Sequence, residues 1–304
     1  MHCTRPSNGS QRSSMKNTFF PTRADINMFA FDIDGTLLNS VHEATDATCE
    51  ALRKLASAGI RVVLATGRRY RDALPLADMF QIELPLVTAS GALVKSPCDH
   101  STRFIAKFSE GVLEELLCAL ISEGHEPIAY TDSYLEGFDF YCRSTDVSLC
   151  KKSGVEEYLH RNRSLARVSD SFETVPPAGI FAGFAMGDRD EMLHLENILR
   201  NRWPHHVSLH TIRSPRYQDW MCEFAPAGVT KWSAVVDVAK SVGIDPETIC
   251  AVGDDTNDIP MLRCARFGVA MGNASIDVQA AANWVAPSHD DDGVADLVDR
   301  ILRD

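Results

Sequence analysis

The segment "MFAFDIDGTLLNS", Met28 to Ser40, sets the tightest condition on how this 304-residue chain folds. An apolar run leads straight into Asp32 and Asp34, and Gly35 and Thr36 follow at once. An unpaired buried carboxylate is costly enough to neutralise itself or find a partner. The strand therefore ends at a surface or meets a cation there, and its two acids, one residue apart, face the same side. Two further apolar runs end in the same polar manner, "IRVVLATGR" at Thr66, Gly67 and Arg68, and "TICAVGDDTND" at Asp254, Asp255, Asn257 and Asp258, and "LPLVTAS" reads as a third strand between them. Helix patterns separate them. "ATCEALRKLASAG" puts Cys49, Leu52, Leu55 and Ala56 on one face and stops at Gly59. "DALPLADMF", "WSAVVDVAKSVG", "IPMLRCA" and the closing "GVADLVDRIL" also read as helices, and "FGVAMGN" and "NWVAPS" as short strands. Continuous apolar strands alternating with helices predict an α/β fold, a Rossmann-like doubly wound parallel sheet covered on both faces. In such sheets ligands sit beyond the carboxyl ends of the strands.

The middle of the chain breaks this rhythm. Residues 107–214 supply their own helices ("SEGVLEELLCALISEG", "EEYLHRN", "EMLHLENILRN") and strands ("EPIAYTD", "GFDFYC", "IFAGFAM"). They are expected to form a second α/β domain inserted between the third and fourth core strands, leaving 25–106 and 215–304 as the core. Residues 1–24 are rich in Ser and Arg, carry no acid and lack the apolar stretch of a secretory signal, so a disordered leader is expected.

Strand ends from distant parts of the chain thus converge on one sheet edge with four carboxylates. A hard divalent cation with oxygen ligands relieves their repulsion, and Mg²⁺ favours a few carboxylates plus water and a phosphate oxygen. Thr66, Lys231 at a helix start and the Gly67 turn add hydrogen-bond donors suited to a phosphoryl group. With one of the paired aspartates as nucleophile, the other is placed to pass a proton to the leaving oxygen and take one from water.

These four segments, in this order, resemble the haloacid dehalogenase (HAD) superfamily of phosphotransferases: "DIDGTLL", "LATGR", Lys231 in "GVTKWSAV", and "GDDTND". The insert and the tail "GVAMGNASIDVQAAANWVAPSHDDDGVADLV" resemble its Cof-like branch, which carries a type IIB α/β cap. The resemblance implies a Mg²⁺-dependent phosphatase, with Asp32 as the nucleophile that becomes an aspartyl-phosphate and Asp34 as general acid/base, its backbone carbonyl also reaching the metal. It implies that Thr66, Gly67, Lys231 and Asn257 hold the phosphoryl group. It implies Asp32, Asp34 and Asp254 at the metal, with Asp258 ligating or supporting. A small phosphorylated metabolite, foremost a sugar phosphate, is the expected partner. A phosphosugar mutase, a disaccharide-phosphate phosphatase and a non-catalytic phosphometabolite sensor are the competing readings. The chain departs from the branch at Ser90, where an asparagine is usual, and at Trp232, where a glycine is common.

A net charge of −12 argues against nucleic acid or an anionic membrane as partner. No apolar run reaches the roughly 18 to 20 residues of a membrane span. Nine scattered cysteines without a Cys-x-x-Cys pair fit a reducing cytoplasm, and a monomer or small homo-oligomer is expected. Plainer readings are given to "GDRDE" (helix-capping acids), to the aromatic "YTDSYLEGFDFYC" (packing, with Tyr134 or Phe138 as cleft candidates), to His205 and His206 (a surface pair), to "SHDDDGVAD" (a solvated loop) and to Arg68 (a structural salt bridge).

Overall fold

The computed structural model describes residues 20–146, 153–172, 174–214 and 216–303. The expected leader therefore lies outside the described residues except at its end. There Phe20 packs edge-on against Phe267 and Trp284, and the Arg23 guanidinium donates to the Ala58 carbonyl, so residues 20–24 belong to the folded body.

The core is a five-stranded parallel sheet. In spatial order it contains β14 (Trp284–Val285), β13 (Phe267–Ala270), β12 (Ile249–Gly253), β1 (Met28–Phe31) and β2 (Arg61–Leu64). β1 is an interior strand, flanked by β12 and the edge strand β2. Phe29 and Phe31 face one apolar layer, Met28 and Ala30 the other, and all four are fully buried. The first layer is completed by α1 (Asp46–Ser57), α2 (Tyr70–Met79) and α9 (Gly293–Leu302), the second by α6 (Lys231–Ser241), α7 (Ile259–Cys264) and α8 (Ile276–Ala281). Burying both faces of β1 explains why its apolar run is continuous rather than alternating.

The expected third core strand departs from this sheet. β3 (Leu86–Thr88) meets β2 through a single bridge, Ala65 to Val87, and pairs instead in an antiparallel sheet with β4 (Leu93–Lys95) and β5 (Thr102–Ile105). The turn between β3 and β4 holds Ser90 at φ +55°, a left-handed conformation that non-glycine residues seldom adopt.

The insert builds a six-stranded sheet. Its order is β10 (Val207–Arg213), β11 (Trp220–Pro226), β9 (Ile180–Gly187), β6 (Ile128–Thr131), β7 (Phe140–Cys142) and β8 (Ala166–Val168), antiparallel except for the last pair. α3 (Val112–Ser122) and α5 (Arg189–Arg202) bury Leu116, Leu120, Leu195 and Leu199 with residues of one face of this sheet. α4 (Ser153–Asn162) brings Tyr158 against Phe140 and Phe184 on the opposite side. The expected division at residues 214 and 215 falls inside the β10–β11 hairpin, because β11 pairs with both β10 and β9. Sequence reading named neither strand; the pattern of "WMCEFAP" is broken by a glutamate on an otherwise apolar face. The acids of "GDRDE" do cap α5: Asp188 accepts the Glu191 amide and Glu191 accepts the Asp188 amide.

Candidate active site

β1 and β12 are neighbours in register, Phe31 beside Val252, so the residues that follow them emerge together at one sheet edge. The Asp32 amide extends the ladder by donating to the Val252 carbonyl at 3.0 Å. Its side chain is almost fully buried, and Lys231 Nζ donates to Asp32 Oδ1 at 2.7 Å. Lys231 is the first residue of α6, which Thr230 caps by accepting the Ser233 amide. The same ammonium donates to Asp258 Oδ1 at 2.7 Å, while Asp258 Oδ2 accepts the amides of Asp254 and Asp255, each at 3.0 Å. Asp258 is thereby a brace: it fixes the lysine with one oxygen and the Asp254 turn with the other.

Asp254 is held more loosely. Thr36 Oγ1 and Asn273 Nδ2 each donate to it at 3.3 Å. Gly35 makes room for it, since a Cβ at that left-handed position would lie 2.2 Å from Asp254 Oδ2. Ligand atoms of Asp32, Asp254 and Asp258 all lie within 4.8 Å of one another. Burial, opposed by Lys231, pushes the Asp32 carboxyl up to about 7. Burial and the Asp32 charge also raise Asp254 well above the ordinary carboxylate range. Although burial draws the Lys231 ammonium down, Asp258 and Asp32 hold it above its ordinary value. Three carboxylates facing one ammonium leave negative charge uncompensated, and an all-oxygen donor set suits a hard divalent cation. The residues present fit such an ion, with Asp254 the freest of the three to bind it.

Asp34, expected to reach the metal through its backbone carbonyl, directs its carboxylate to a different partner. Both oxygens accept from Arg68, Nε to Oδ2 at 2.7 Å and Nη2 to Oδ1 at 2.6 Å, and it is outside the three-acid cluster. The fork of a guanidinium matches a carboxylate in this way. Arg68, read from sequence as a structural salt bridge, therefore belongs to the site. Thr66 is buried and its hydroxyl accepts the Arg68 amide at 3.1 Å. Asn257 Nδ2 donates to Ser90 Oγ at 3.3 Å.

One cavity of about 610 Å³ gathers Asp32, Asp34, Thr66, Gly67, Lys231, Asp254 and Asn257; Asp258 lies beneath it. Its far wall comes from the insert: Tyr130, Tyr158, Arg213, Met221 and Glu223. Sequence reading missed Glu223, whose Oε2 accepts from Ser90 Oγ at 2.9 Å. Burial pushes this carboxyl up to about 7. The cleft candidates Tyr134 and Phe138 do not line the cavity. Tyr134 packs edge-on against Tyr70, and Phe138 is buried against Tyr141. Trp232 packs against the core layer that includes Val238. The "SHDDDGVAD" loop is tied down rather than merely solvated, for Asp290 accepts the Ser40 amide and Asp292 the Thr45 hydroxyl.

Residues 68–72, at the start of α2, join the site to the insert. Beyond the Arg68–Asp34 pair, Arg69 Nη2 donates to Asn162 Oδ1 at 2.7 Å, and Tyr70 donates to the Ser96 carbonyl. Arg71 donates to both oxygens of Asp139, and Asp72 pairs with Arg216 at 3.2 Å.

The family described as haloacid dehalogenase-like hydrolase matches residues 29–298. Phosphatase YwpJ of Bacillus subtilis is 27% identical over 294 residues, covering 90% of this chain and 99% of that protein. The 5-amino-6-(5-phospho-D-ribitylamino)uracil phosphatase YitU of the same organism is 28% identical over 282 residues, covering 88% and 94%. Among solved structures, a haloacid dehalogenase-like hydrolase from Bacteroides thetaiotaomicron superposes with TM-score 0.73 at 25% identity, covering 91% of this chain and all (100%) of that one. The HAD subclass IIB sugar phosphatase BT4131 shares the fold, with TM-score 0.72 at 22% identity and coverage of 90% and 98%. Matched along nearly its whole described length, the chain belongs to the haloacid dehalogenase-like hydrolases and is a phosphatase of that family.

Proposed function

We propose that the chain is a Mg²⁺-dependent phosphomonoesterase that works through an aspartyl-phosphate on Asp32 and acts on a small phosphorylated metabolite, with sugar phosphates the leading class. The observation that carries this reading is the Asp32 carboxylate itself, buried at the floor of the cavity with Lys231 on one oxygen. Bound among Asp32, Asp254 and Asp258, Mg²⁺ would supply charge neutralisation for the phosphoryl oxygens and the nucleophile. The chain's own groups do the rest. Asp32 attacks phosphorus as the ester P–O bond breaks, and Asp34 hands a proton to the departing oxygen. Water then attacks the aspartyl-phosphate while Asp34 takes a proton from it, releasing inorganic phosphate. Lys231 and the Thr66–Gly67 turn hold the oxygens on which charge accumulates. The six-stranded sheet serves as the cap, excluding water from the far wall, and the setting is cytoplasmic.

Relatives named as phosphatases, one acting on a phosphoribityl compound, support a small phosphorylated substrate. The test is phosphate release from an aryl phosphate with Mg²⁺ present. Asp32→Asn is expected to lower turnover by at least about 10⁴-fold with an unchanged circular dichroism spectrum. Wild-type turnover in that variant would rule out Asp32 as nucleophile.

A further inference from the structure

The cavity of about 610 Å³ is far larger than a phosphoryl group needs and is in the range of sites that enclose a whole small molecule. Its charges divide unevenly. At the sheet edge the acids outnumber Lys231. Where α2 meets the insert, the imbalance is reversed. Asp72 Oδ2 accepts from Arg69 Nε at 2.6 Å, and its Oδ1 lies 3.2 Å from Arg216 Nη1. Asp139 Oδ2 lies 3.0 Å from Arg71 Nε and 3.7 Å from Arg69 Nη1. Three guanidiniums thus share two carboxylates, which leaves a positive charge over in a chain whose net charge is −12.

Arg216 is the member of this group free to meet a ligand. It lines the cavity from the hairpin that joins β10 to β11. Its side chain is 36% exposed, against 6% for Arg69 and 28% for Arg71. Arg69 and Arg71 are tied further, to Asn162 and to the Tyr134 carbonyl. Among the described residues, the guanidinium of Arg216 pairs with Asp72 alone, and Asp72 already accepts the closer bond from Arg69. A guanidinium presents five donors in a planar fork that matches a carboxylate or a phosphate, so most of the fork remains available. Although burial raises it, Arg69 and Arg216 hold the Asp72 carboxyl below its ordinary value, and a charged brace therefore stays beside the fork. The neighbouring wall is largely apolar. Tyr217 meets Tyr158 edge-on with ring centroids 5.0 Å apart, and Ile212 sits opposite Met221 in the hairpin.

We infer that Arg216 is a specificity-determining residue that receives a second anionic group, a carboxylate or a phosphate, at the far end of the leaving group. The substrate class is thus a phosphomonoester whose carbon body ends in another anion, which among sugar phosphates means sugar acids and bisphosphates. The inference rests on the phosphatase reading and narrows it. An anion bound there completes the charge balance of the arginine group, and the tyrosines and Met221 cover the carbon body between the two charged ends.

The test uses the full-length enzyme with Mg²⁺ and a ladder of chain lengths in three series: ω-hydroxyalkyl phosphates, ω-carboxyalkyl phosphates and α,ω-alkanediol bisphosphates. At the length that spans the cavity, wild-type kcat/KM is expected to favour a doubly anionic ester over its hydroxyl counterpart by at least about ten-fold, as for a charge-assisted hydrogen bond. Whichever anionic series shows the larger preference, after halving the bisphosphate rate for its two equivalent ends, identifies the anion. Arg216→Gln should bring the ratio to within about two-fold of one, and Arg216→Lys, which keeps the charge and loses the fork, should retain part of it. Since Arg216 is exposed and Asp72 keeps Arg69, both variants should show an unchanged circular dichroism spectrum. A merely structural Arg216 would lower all three series equally and leave the ratio unchanged, which would overturn the assignment. So would a wild-type ratio near one at every length. Failure of the wild type to release phosphate from any of these esters or from an aryl phosphate would instead sink the phosphatase reading and this inference with it.

Discussion

Two carboxyls line opposite walls of one cavity, and they are stabilised in different ways. Asp32 comes from a core strand and is met by a buried ammonium and two further acids. Glu223 comes from the insert and is met by one serine hydroxyl and, among the described residues, by no cation within ion-pairing distance. Both rise to about 7 through burial. The first has a built-in counter-charge and the outline of a metal site; the second has only a hydrogen bond reaching over from the core. The core carboxyl is balanced by charge, and the insert carboxyl by a neutral hydroxyl. That division is what a phosphatase with an interchangeable leaving-group side requires.

The sharpest way to break this contrast is to remove the counter-charge. Lys231→Met leaves Asp32 and Asp258 buried without their shared cation. Turnover should fall about 10²–10³-fold, and urea denaturation should show a loss of about 3–5 kcal/mol, the cost of an uncompensated buried charge. A stability change within about 1 kcal/mol would mean the ammonium is not what balances these acids.

A smaller effect is expected where the guanidinium sets Asp34. Arg68→Gln removes the bidentate grip without removing the acid. Kinetics on an aryl phosphate should show kcat reduced about ten-fold with KM changed less. A larger rise in KM than fall in kcat would make Arg68 a substrate-binding group instead.

The smallest effect probes the insert wall. The folded Glu223 carboxyl keeps its proton up to about 7, whereas the unfolded chain releases it near 4.5. Between those values the unfolded state binds fewer protons, so stability falls as pH rises through this window, and the penalty is complete above it. Glu223→Gln abolishes the penalty. Its melting midpoint should exceed that of the wild type by about 2–4 °C at pH 8 and match it at pH 4. Equal midpoints at both pH values would show the carboxyl to be well solvated.

The same contrast explains what was legible in the sequence. The core wall is written in short segments: Asp32 and Asp34 follow an apolar strand, Lys231 opens a helix, and Asp254 and Asp258 share one turn. Parallel pairing of β1 with β12 then brings them together with no further information needed. The roles that failed to show depend on side-chain direction. Nothing local says that Asp34 turns to Arg68, or that Asp258 has both oxygens occupied by Lys231 and backbone amides. The insert wall was harder still. β10 and β11 are a hairpin whose partners lie far away in the chain, and Glu223 acquires meaning only when β11 pairs with β9 and faces Ser90. The third strand misled for a related reason: "LPLVTAS" has the apolar run of a parallel strand, yet β3 takes its bonds from the neighbouring hairpin.

The run from Arg68 to Asp72 gives this layout a consequence for how such proteins diversify. It fastens the Asp34 carboxylate on one side and Asn162, Asp139 and Arg216 of the insert on the other. Grafting a foreign lid onto this scaffold without rewriting those five positions would leave arginines facing empty space and Asp34 unmoored. The inheritable unit of selectivity is therefore the lid together with the first turn of α2.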